Sequence, residues 1–270
     1  MHSFDTYSST WMSVRPSDHL RSLSNDDISM IVRLWLGLDA FDTPLIFCCS
    51  CNKPIAHDPW HRLSCTAEAG TGFKQRHDDI RIVLQNLCKL YGIYGMAEPN
   101  VYETSSTSTR PGARPDPLLY GLNNDKIVLD FKVVHPGAPS YVKQAIHPGR
   151  VVSNGEDDKR QHHVEKATAA GLAFEPFVVS TFCEFGNAAL AVLQRLARHA
   201  ENISMIIQQS FCADPESVAR RFFSAAIELT SIACLRGSVS SIYYGGALPP
   251  AHTRYVNKST ARAAARRVQR

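Results

Sequence analysis

The chain has 270 residues, a formal net charge of +4, 44% hydrophobic residues and 20% charged residues. This composition is typical of a globular protein and excludes a polycation or a disordered chain. We find no run of about 18 apolar residues, so we expect no membrane span and no membrane partner. The polar N-terminus lacks the apolar core of a signal peptide, and the eight cysteines do not resemble a disulfide scaffold. We therefore expect a nuclear or other intracellular protein in a reducing compartment.

The hydrophobic pattern predicts helices and strands in an order typical of a mixed sheet covered by helices. Apolar residues at helical spacing, preceded by capping residues and followed by glycines, indicate the helices. Short apolar runs, alternating or continuous, indicate the strands. In chain order the predicted elements are a helix over 25–37, a Cys/His-rich loop over 44–72, a helix over 78–92, a strand within 93–103, a polar loop over 104–113, a hairpin over 116–134, an irregular connection over 135–155, a helix over 156–170, a strand over 177–182, and helices over 188–209 and 215–234.

The predicted hairpin carries the most informative residues of the chain. It joins an extended run that begins at Asp116 to a strand over Ile127–Val134 through the turn Gly121–Asp125. Because side chains alternate along a strand, Asp130 and Lys132 share one face of it. Folding the hairpin brings Asp116 close to Asp130, and two carboxylates beside an ammonium can hold Mg2+ and polarise a phosphate. We expect Lys132 to contact the scissile phosphate and to orient or help deprotonate the attacking water. The alternative is a cross-strand salt bridge of Lys132 at a sheet edge.

The Cys/His-rich loop predicts a zinc site. Zinc takes four Cys or His ligands in a tetrahedron. The spacing Cys-x2-Cys followed by His-x3-Cys selects Cys48, Cys51, His61 and Cys65. Cys49 and His57 are rival ligands, so the spacing leaves the choice open between Cys48 and Cys49 and between His57 and His61. A lone site of this size is typically structural, and the alternative is a chance cluster of buried thiols.

Cationic residues at two further places suggest contacts with a polyanion. Arg76 would contact phosphate and His77 would carry a proton or orient a group; the alternative is a helix N-terminus capped by Asp78 with solvated neighbours. Lys159 and Arg160 lie on a predicted helix and would hold the DNA backbone, unless they belong to a solvated face balanced by neighbouring acids.

The C-terminal end of the chain is basic as well. No acidic residue follows Glu228, although seven Lys and Arg residues do. This tail is typical of a chain with a nucleic-acid partner, and the alternative is a disordered, solvated end.

The ordered series Cys-x2-Cys, His-Arg-Leu-Ser-Cys, Arg-His-Asp, Arg-Pro-Asp and Asp-Phe-Lys-Val-Val-His-Pro resembles the C-terminal region of site-specific non-LTR retrotransposon proteins. The resemblance covers roughly residues 25–200. In that family a Cys-Cys-His-Cys knuckle precedes a restriction-like endonuclease of the PD-(D/E)xK type. The resemblance implies an Mg2+-dependent enzyme that nicks target DNA so that a reverse transcriptase can prime from the break.

The resemblance also implies roles for particular residues. Asp116, Asp130 and Lys132 match the catalytic core, Arg114 begins the matching Arg-Pro-Asp motif, and Arg76 with His77 matches a motif near the core. Lys159 lies near a further family Lys that usually accompanies a Tyr, whereas this chain has Lys-Arg-Gln-His-His. Catalytic roles are therefore expected for Asp116, Asp130, Lys132 and His77, and DNA contacts for Arg76, Arg114, Lys159 and Arg160.

We therefore expect an α+β fold with a restriction-endonuclease-like mixed sheet flanked by helices and a small N-terminal zinc knuckle. The expected parts are an N-terminal helical segment over 1–43, the knuckle over 44–72, the endonuclease-like core over 73–210, and a C-terminal helix with a basic tail over 211–270. The expected partners are DNA and RNA, together with a reverse transcriptase region of the same element or another chain. The competing hypotheses are a nucleic-acid-binding module that has lost catalysis and an inactive remnant.

Overall fold

The computed structural model describes residues 7–41, 47–48, 50–55, 58–68, 72–96, 118–122, 125–207 and 215–244. The helices among these residues are α1 Asn25–Trp35, α2 His61–Ser64, α3 Lys74–Leu90, α4 Arg150–Ala169, α5 Asn187–Ile207 and α6 Pro215–Tyr244, with short 3-10 helices at Thr10–Ser13 and Thr66–Glu68. The strands are β1 Gly95–Met96, β2 Leu118–Leu122, β3 Asp125–Val134 and β4 Ala173–Ser180.

The four strands form one mixed sheet in the order β1-β2-β3-β4. The two pairs β1–β2 and β2–β3 are antiparallel, whereas β3 and β4 are parallel and are connected through α4. A parallel pair needs such a crossover because its strands start at the same edge of the sheet. The expected α+β class and the mixed sheet flanked by helices are confirmed.

The two faces of β3 meet different layers of helices. Ile127, Leu129 and Phe131 lie in the main core, together with buried residues of α3, α5 and α6. On the opposite face, Val134 of β3 and Val178 of β4 pack against Val151 and Val152 of α4. Each residue of β4 faces the same side of the sheet as the β3 residue with which it is paired, as expected for parallel partners in register. The sheet is thus enclosed by helices on both faces, which explains why its strands read as nearly continuous apolar runs.

Helix α6 lies at the centre of the main core. Residues Glu216–Tyr243 are long and apolar enough to cross a membrane, but 72% of their most apolar stretch is buried inside the fold. Burial against α3 and α5 accounts for this composition without a bilayer.

Several helices begin or end where the sequence pattern does not predict. Helix α3 begins at Lys74, before the expected Asp78, and α6 extends ten residues beyond the expected Cys234. The extension packs tightly on α3, because a Cβ on Gly237 would lie 2.6 Å from the Cα of Arg76. Tertiary contact therefore continues a helix beyond the point at which its own sequence pattern weakens.

Helix α4 begins at Arg150, six residues before the predicted start. Gly149 precedes it with a left-handed φ of 71°, which only glycine adopts at little cost. Gly155 lies in the interior of the helix, where a Cβ would approach Cγ1 of Val178 to 2.9 Å and Cγ1 of Val134 to 3.1 Å. The glycine therefore lets α4 lie close against the sheet.

Candidate functional site

Asp130 and Lys132 project from the same face of β3, towards α4. Their partners on that helix are Lys159 and His163 for Asp130, and Asp158 for Lys132. Lys159 and His163 are four residues apart and share a face of α4, and the adjacent Asp158 borders that face. We call the five residues the β3–α4 site.

Asp130 is a buried carboxylate held by two nitrogen atoms. Its Oδ2 lies 2.7 Å from Nζ of Lys159 and 2.9 Å from Nε2 of His163. Burial acts to raise the pKa of Asp130, but the contacts with His163 and Lys159 outweigh it and lower this pKa below its ordinary value. Asp130 is therefore ionised at neutral pH, as a metal ligand or a phosphate-activating group must be.

Lys132 remains a cation in its half-buried position. Its Nζ lies 2.8 Å from Oδ2 of Asp158. Burial acts to lower the pKa of Lys132, but Asp158 and Tyr141 outweigh it and raise this pKa above its ordinary value. The ammonium is thus suited to attract an anion and unsuited to take up a proton at neutral pH. Its carboxylate partner comes from a helix, not from a neighbouring strand as in the salt-bridge alternative.

The two residues of α4 that were expected to contact DNA, Lys159 and Arg160, have different positions. Lys159 is 23% exposed in its side chain and reaches inward to Asp130, whereas Arg160 is 43% exposed. Arg160 lies 3.2 Å from Oδ1 of Asp157 and 3.7 Å from Oε2 of Glu156. Arg160 thus borders solvent, where a DNA backbone can reach it, while Lys159 belongs to the β3–α4 site.

His163, like Asp158, is a member of the β3–α4 site that the sequence pattern did not identify. Its ring stacks on Phe174 of β4, with centroids 5.2 Å apart and planes 15° apart. The sequence does contain a relevant spacing, because His163 follows Lys159 by four residues and therefore lies on the same face of a helix. Without knowledge of the helix's orientation on the sheet, that spacing has no functional meaning.

Arg76 and His77 lie away from the β3–α4 site. Arg76 is buried, with its Nη1 3.4 Å from Oγ of Ser238 and its guanidinium over the ring of Phe73. A buried guanidinium offers no surface to a DNA phosphate, so the structure is at odds with the expected contact.

The ring of His77 meets Phe131 edge to face, with 6.2 Å between the ring centroids. Phe131 points into the main core, away from α4. The sheet therefore separates His77 from Asp130 and Lys132, and the expected grouping of these three residues is not reproduced.

The second site is a cluster of three cysteines and one histidine. The ligand atoms of all four residues lie within 4.8 Å of one another, and the members are Cys48, Cys51, His61 and Cys65. Sγ of Cys48 lies 3.8 Å from Sγ of Cys65, and Sγ of Cys51 lies 3.2 Å from Nε2 of His61. This cluster can bind a metal ion and is compatible with structural zinc.

Local backbone geometry brings the first two cysteines together. The N–H of Cys48 donates to the carbonyl of Lys53 at 2.8 Å, and the N–H of Asn52 donates back to the carbonyl of Cys48 at 2.7 Å. Asn52 has a positive φ of 55°, a conformation that Asn tolerates better than most residues. The resulting tight turn places Cys48 and Cys51 on one side.

The other two ligands come from α2 and the residue that follows it. Leu63 of α2 is 1% exposed in the main core, and Nε1 of Trp60 donates to the carbonyl of Leu34 at 2.7 Å. The cluster is thus attached to the main core through the same short helix that carries His61. On its other side, Nδ1 of His61 lies 3.8 Å from Oδ2 of Asp58, so Nε2 is left to face the cysteines.

The two buried thiols of the cluster have different electrostatics. Burial acts to raise the pKa of Cys48, but hydrogen bonds from the backbone of Cys51 and Ser50 outweigh it and lower this pKa. Burial, together with the neighbouring cysteines, raises the pKa of Cys65 to about 11. One thiolate in this cluster therefore makes ionisation of a second thiol less favourable. A bound cation would reverse this effect by stabilising both thiolates.

Four of the predicted site residues, Asp116, Arg114, Cys49 and His57, lie outside the described residues. Their expected roles stay predictions. Within the part of the chain that the structure describes, no other group of three or more Cys, His, Asp or Glu side chains converges as a metal site would require. A comparison of the chain with protein-family models gives no match, and a comparison with curated proteins gives none either.

Proposed function

We propose that the chain is a metal-dependent DNA endonuclease with a restriction-like PD-(D/E)xK core, which nicks target DNA for retrotransposon integration. The observation that carries this proposal is the β3–α4 site, in which an ionised acid and a lysine emerge side by side from an otherwise apolar strand. Replacing a buried ion pair by apolar residues of similar volume is often neutral or stabilising, so stability alone gives no reason for these charged residues on the strand. The ordered motifs of the sequence support the same class.

The expected second carboxylate, that of Asp116, lies outside the described residues, and the proposal makes a specific demand on the chain before β2. Leu118 stands opposite Val128 and Leu119 opposite Ile127 in an antiparallel register. The proposal requires this pairing to extend two residues before Leu118, which would set residue 116 opposite Asp130. Directly opposite side chains in antiparallel strands share a face, with Cβ atoms about 4.5–5.5 Å apart. Two carboxylates at that distance suit one Mg2+ with bonds of about 2.1 Å.

The residues of the β3–α4 site would have distinct roles in the reaction. Asp130, with Asp116, would hold Mg2+, which when bound lowers the pKa of a water molecule and neutralises charge on the phosphate. Lys132 would attract the scissile phosphate and orient the attacking water as a cation, since its raised pKa disfavours a role as base. Arg160 would contact the DNA backbone from the exposed side of α4.

We further propose that the Cys/His cluster holds zinc in a structural role. For Zn–S bonds of about 2.3 Å, a tetrahedron requires about 3.8 Å between sulfurs, and the separation between Cys48 and Cys65 is 3.8 Å. Four protein ligands leave no open position for catalysis. One zinc per chain in metal analysis of the purified protein would support this assignment.

A second candidate function is a nucleic-acid-binding module without catalysis. The ammonium of Lys159 lies 2.7 Å from Oδ2 of Asp130, where it competes with a divalent cation for the same oxygen. A site whose acid is permanently paired in this way would bind DNA and leave it intact. In the nuclease, by contrast, Lys159 would exchange its contact with Asp130 for one with DNA when Mg2+ binds. In either case the partners would be DNA, with RNA as a further one, and a reverse transcriptase region.

A nicking assay with supercoiled plasmid and Mg2+ or Mn2+ tests the proposal. We expect Asp130→Asn and Lys132→Met to lower the nicking rate at least about 100-fold, while DNA affinity in Ca2+ changes little. Asp157→Asn is the matched control, since Asp157 lies on the same helix, is 58% exposed and contacts Arg160. Wild-type protein that binds the plasmid and never cuts it would refute the nuclease and support the binding module.

A further inference from the structure

His163 is a buried titratable group that the proposed roles leave unused. Its side chain is 8% exposed, and its ring lies nearly parallel to that of Phe174. Nε2 lies 2.9 Å from Oδ2 of Asp130. Nε2 is thus the ring atom that faces the carboxylate, and it can donate a hydrogen bond only when it carries the hydrogen.

The two partners of this carboxylate oxygen differ in their freedom to move. Lys159 has a flexible four-carbon stem and borders solvent, so its ammonium can turn away from Asp130. The imidazole of His163 is 8% exposed and stacks on Phe174, and its short side chain has fewer rotatable bonds than that of Lys159. Of the two partners, Lys159 is therefore the one better able to leave Asp130 when a cation binds there.

We propose that His163 is a positioning residue, which holds the Asp130 carboxylate in the orientation that receives a divalent cation. This inference rests on the proposed function and deepens it. Lys159 acts in the same scheme as the exchangeable counter-ion that the divalent cation replaces.

The test compares two substitutions of His163 in the full zinc-loaded chain. His163→Phe keeps a ring for Phe174 and lacks the N–H group, whereas His163→Gln offers an amide N–H to the same oxygen. Partners that orient a metal ligand typically change metal affinity about 10- to 100-fold. We expect His163→Phe to raise the Mn2+ dissociation constant, measured by electron paramagnetic resonance, by this factor. The Mg2+ concentration for half-maximal nicking is expected to rise in parallel, with a smaller loss of rate at saturating Mg2+.

Two controls make the result specific. His162→Gln changes the adjacent exposed histidine, whose Nδ1 lies 2.6 Å from the backbone carbonyl of Asp158, and we expect no change in Mn2+ affinity. Asp130→Asn defines the Mn2+ signal that belongs to the β3–α4 site. His163→Gln is expected to recover most of the affinity that His163→Phe loses. Should His163→Phe fail to fold, His163→Ala replaces it.

The outcomes separate the inference from the function on which it rests. If His163 were merely structural, His163→Phe would lower the unfolding temperature and leave the Mn2+ dissociation constant unchanged, which would overturn the inference. A wild-type chain that nicks DNA, alongside a His163→Phe variant with wild-type Mn2+ affinity, refutes the positioning role alone. A wild-type chain that neither nicks DNA nor shows Mn2+ binding sensitive to Asp130→Asn refutes the nuclease, and the positioning role with it.

Discussion

Glu156 links α4 to the start of α5, and its removal should be among the most damaging single changes on α4. The side chain is buried, and its Oε1 accepts a hydrogen bond of 2.8 Å from the N–H of Ala188. Glu156→Ala would leave that buried donor without its acceptor, at a cost of about 1–3 kcal/mol. We therefore expect a loss of about 1–3 kcal/mol in the free energy of unfolding.

Denaturation by urea at neutral pH measures this loss, with Glu165→Ala on the exposed face of α4 as the control. Burial raises the pKa of Glu156, although the Ala188 N–H acts to lower it. The native state therefore binds the proton more tightly than the unfolded state, and stability from this group is lost as pH rises through the raised pKa. Glu156→Gln cannot ionise and still accepts from Ala188, so it should cost less than about 1 kcal/mol. A Glu156→Ala loss no larger than that of Glu165→Ala would refute this account of the helix junction.

Three further outcomes are expected from substitutions elsewhere. Cys51→Ser should release zinc and increase hydrogen exchange over residues 47–65. The control Cys88→Ser, in the main core, should destabilise the chain but keep its zinc. Retention of zinc by Cys51→Ser would contradict the ligand assignment. Arg76→Met should leave DNA affinity unchanged. The free energy of unfolding should fall by less than about 1 kcal/mol or rise, because an apolar side chain avoids the cost of desolvating a guanidinium. Weaker DNA binding by this variant would reveal a phosphate contact. Asp130→Asn should make the free energy of unfolding depend less on pH at acidic pH. Because the pKa of Asp130 is lowered in the folded state, the ionised carboxylate stabilises the chain above about pH 3.9, the unfolded-state value. This contribution is lost as pH falls through the folded pKa. An acid limb that matches wild type would count against the ionised state of Asp130.

The alternation of β3 is the part of the site that sequence predicts best. Period-two alternation is a local property, so Asp130 and Lys132 had to share a face once the strand formed. The Cys/His cluster was predictable for a similar reason, because a tight turn and a short helix fix the spacing of its ligands. Both features depend on residues close together in the chain.

Properties that depend on packing were not predictable in the same way. The burial of Arg76 follows from the close approach of α6 at Gly237, more than 150 residues away in sequence. Arginine is usually exposed, so a phosphate contact was the natural expectation for it. His77 likewise takes its position from Phe131 and the main core, which put it across the sheet from Asp130. The partners of Lys159 and His163 depended on how α4 lies on the sheet, which no local pattern determines.

Gly155 acts as a spacer that sets the gap between α4 and the sheet, and hence the reach of every side chain across that gap. A methyl group there would meet Val134 and Val178 and raise the helix by a few tenths of an ångström or more. The contacts of Asp130 with Lys159 and His163, at 2.7 and 2.9 Å, would lengthen if α4 moved away from the sheet by this amount. A residue with no functional group of its own thus sets the separation on which the charged cluster depends, and a Cβ there would also lie 3.8 Å from Cδ of Lys132.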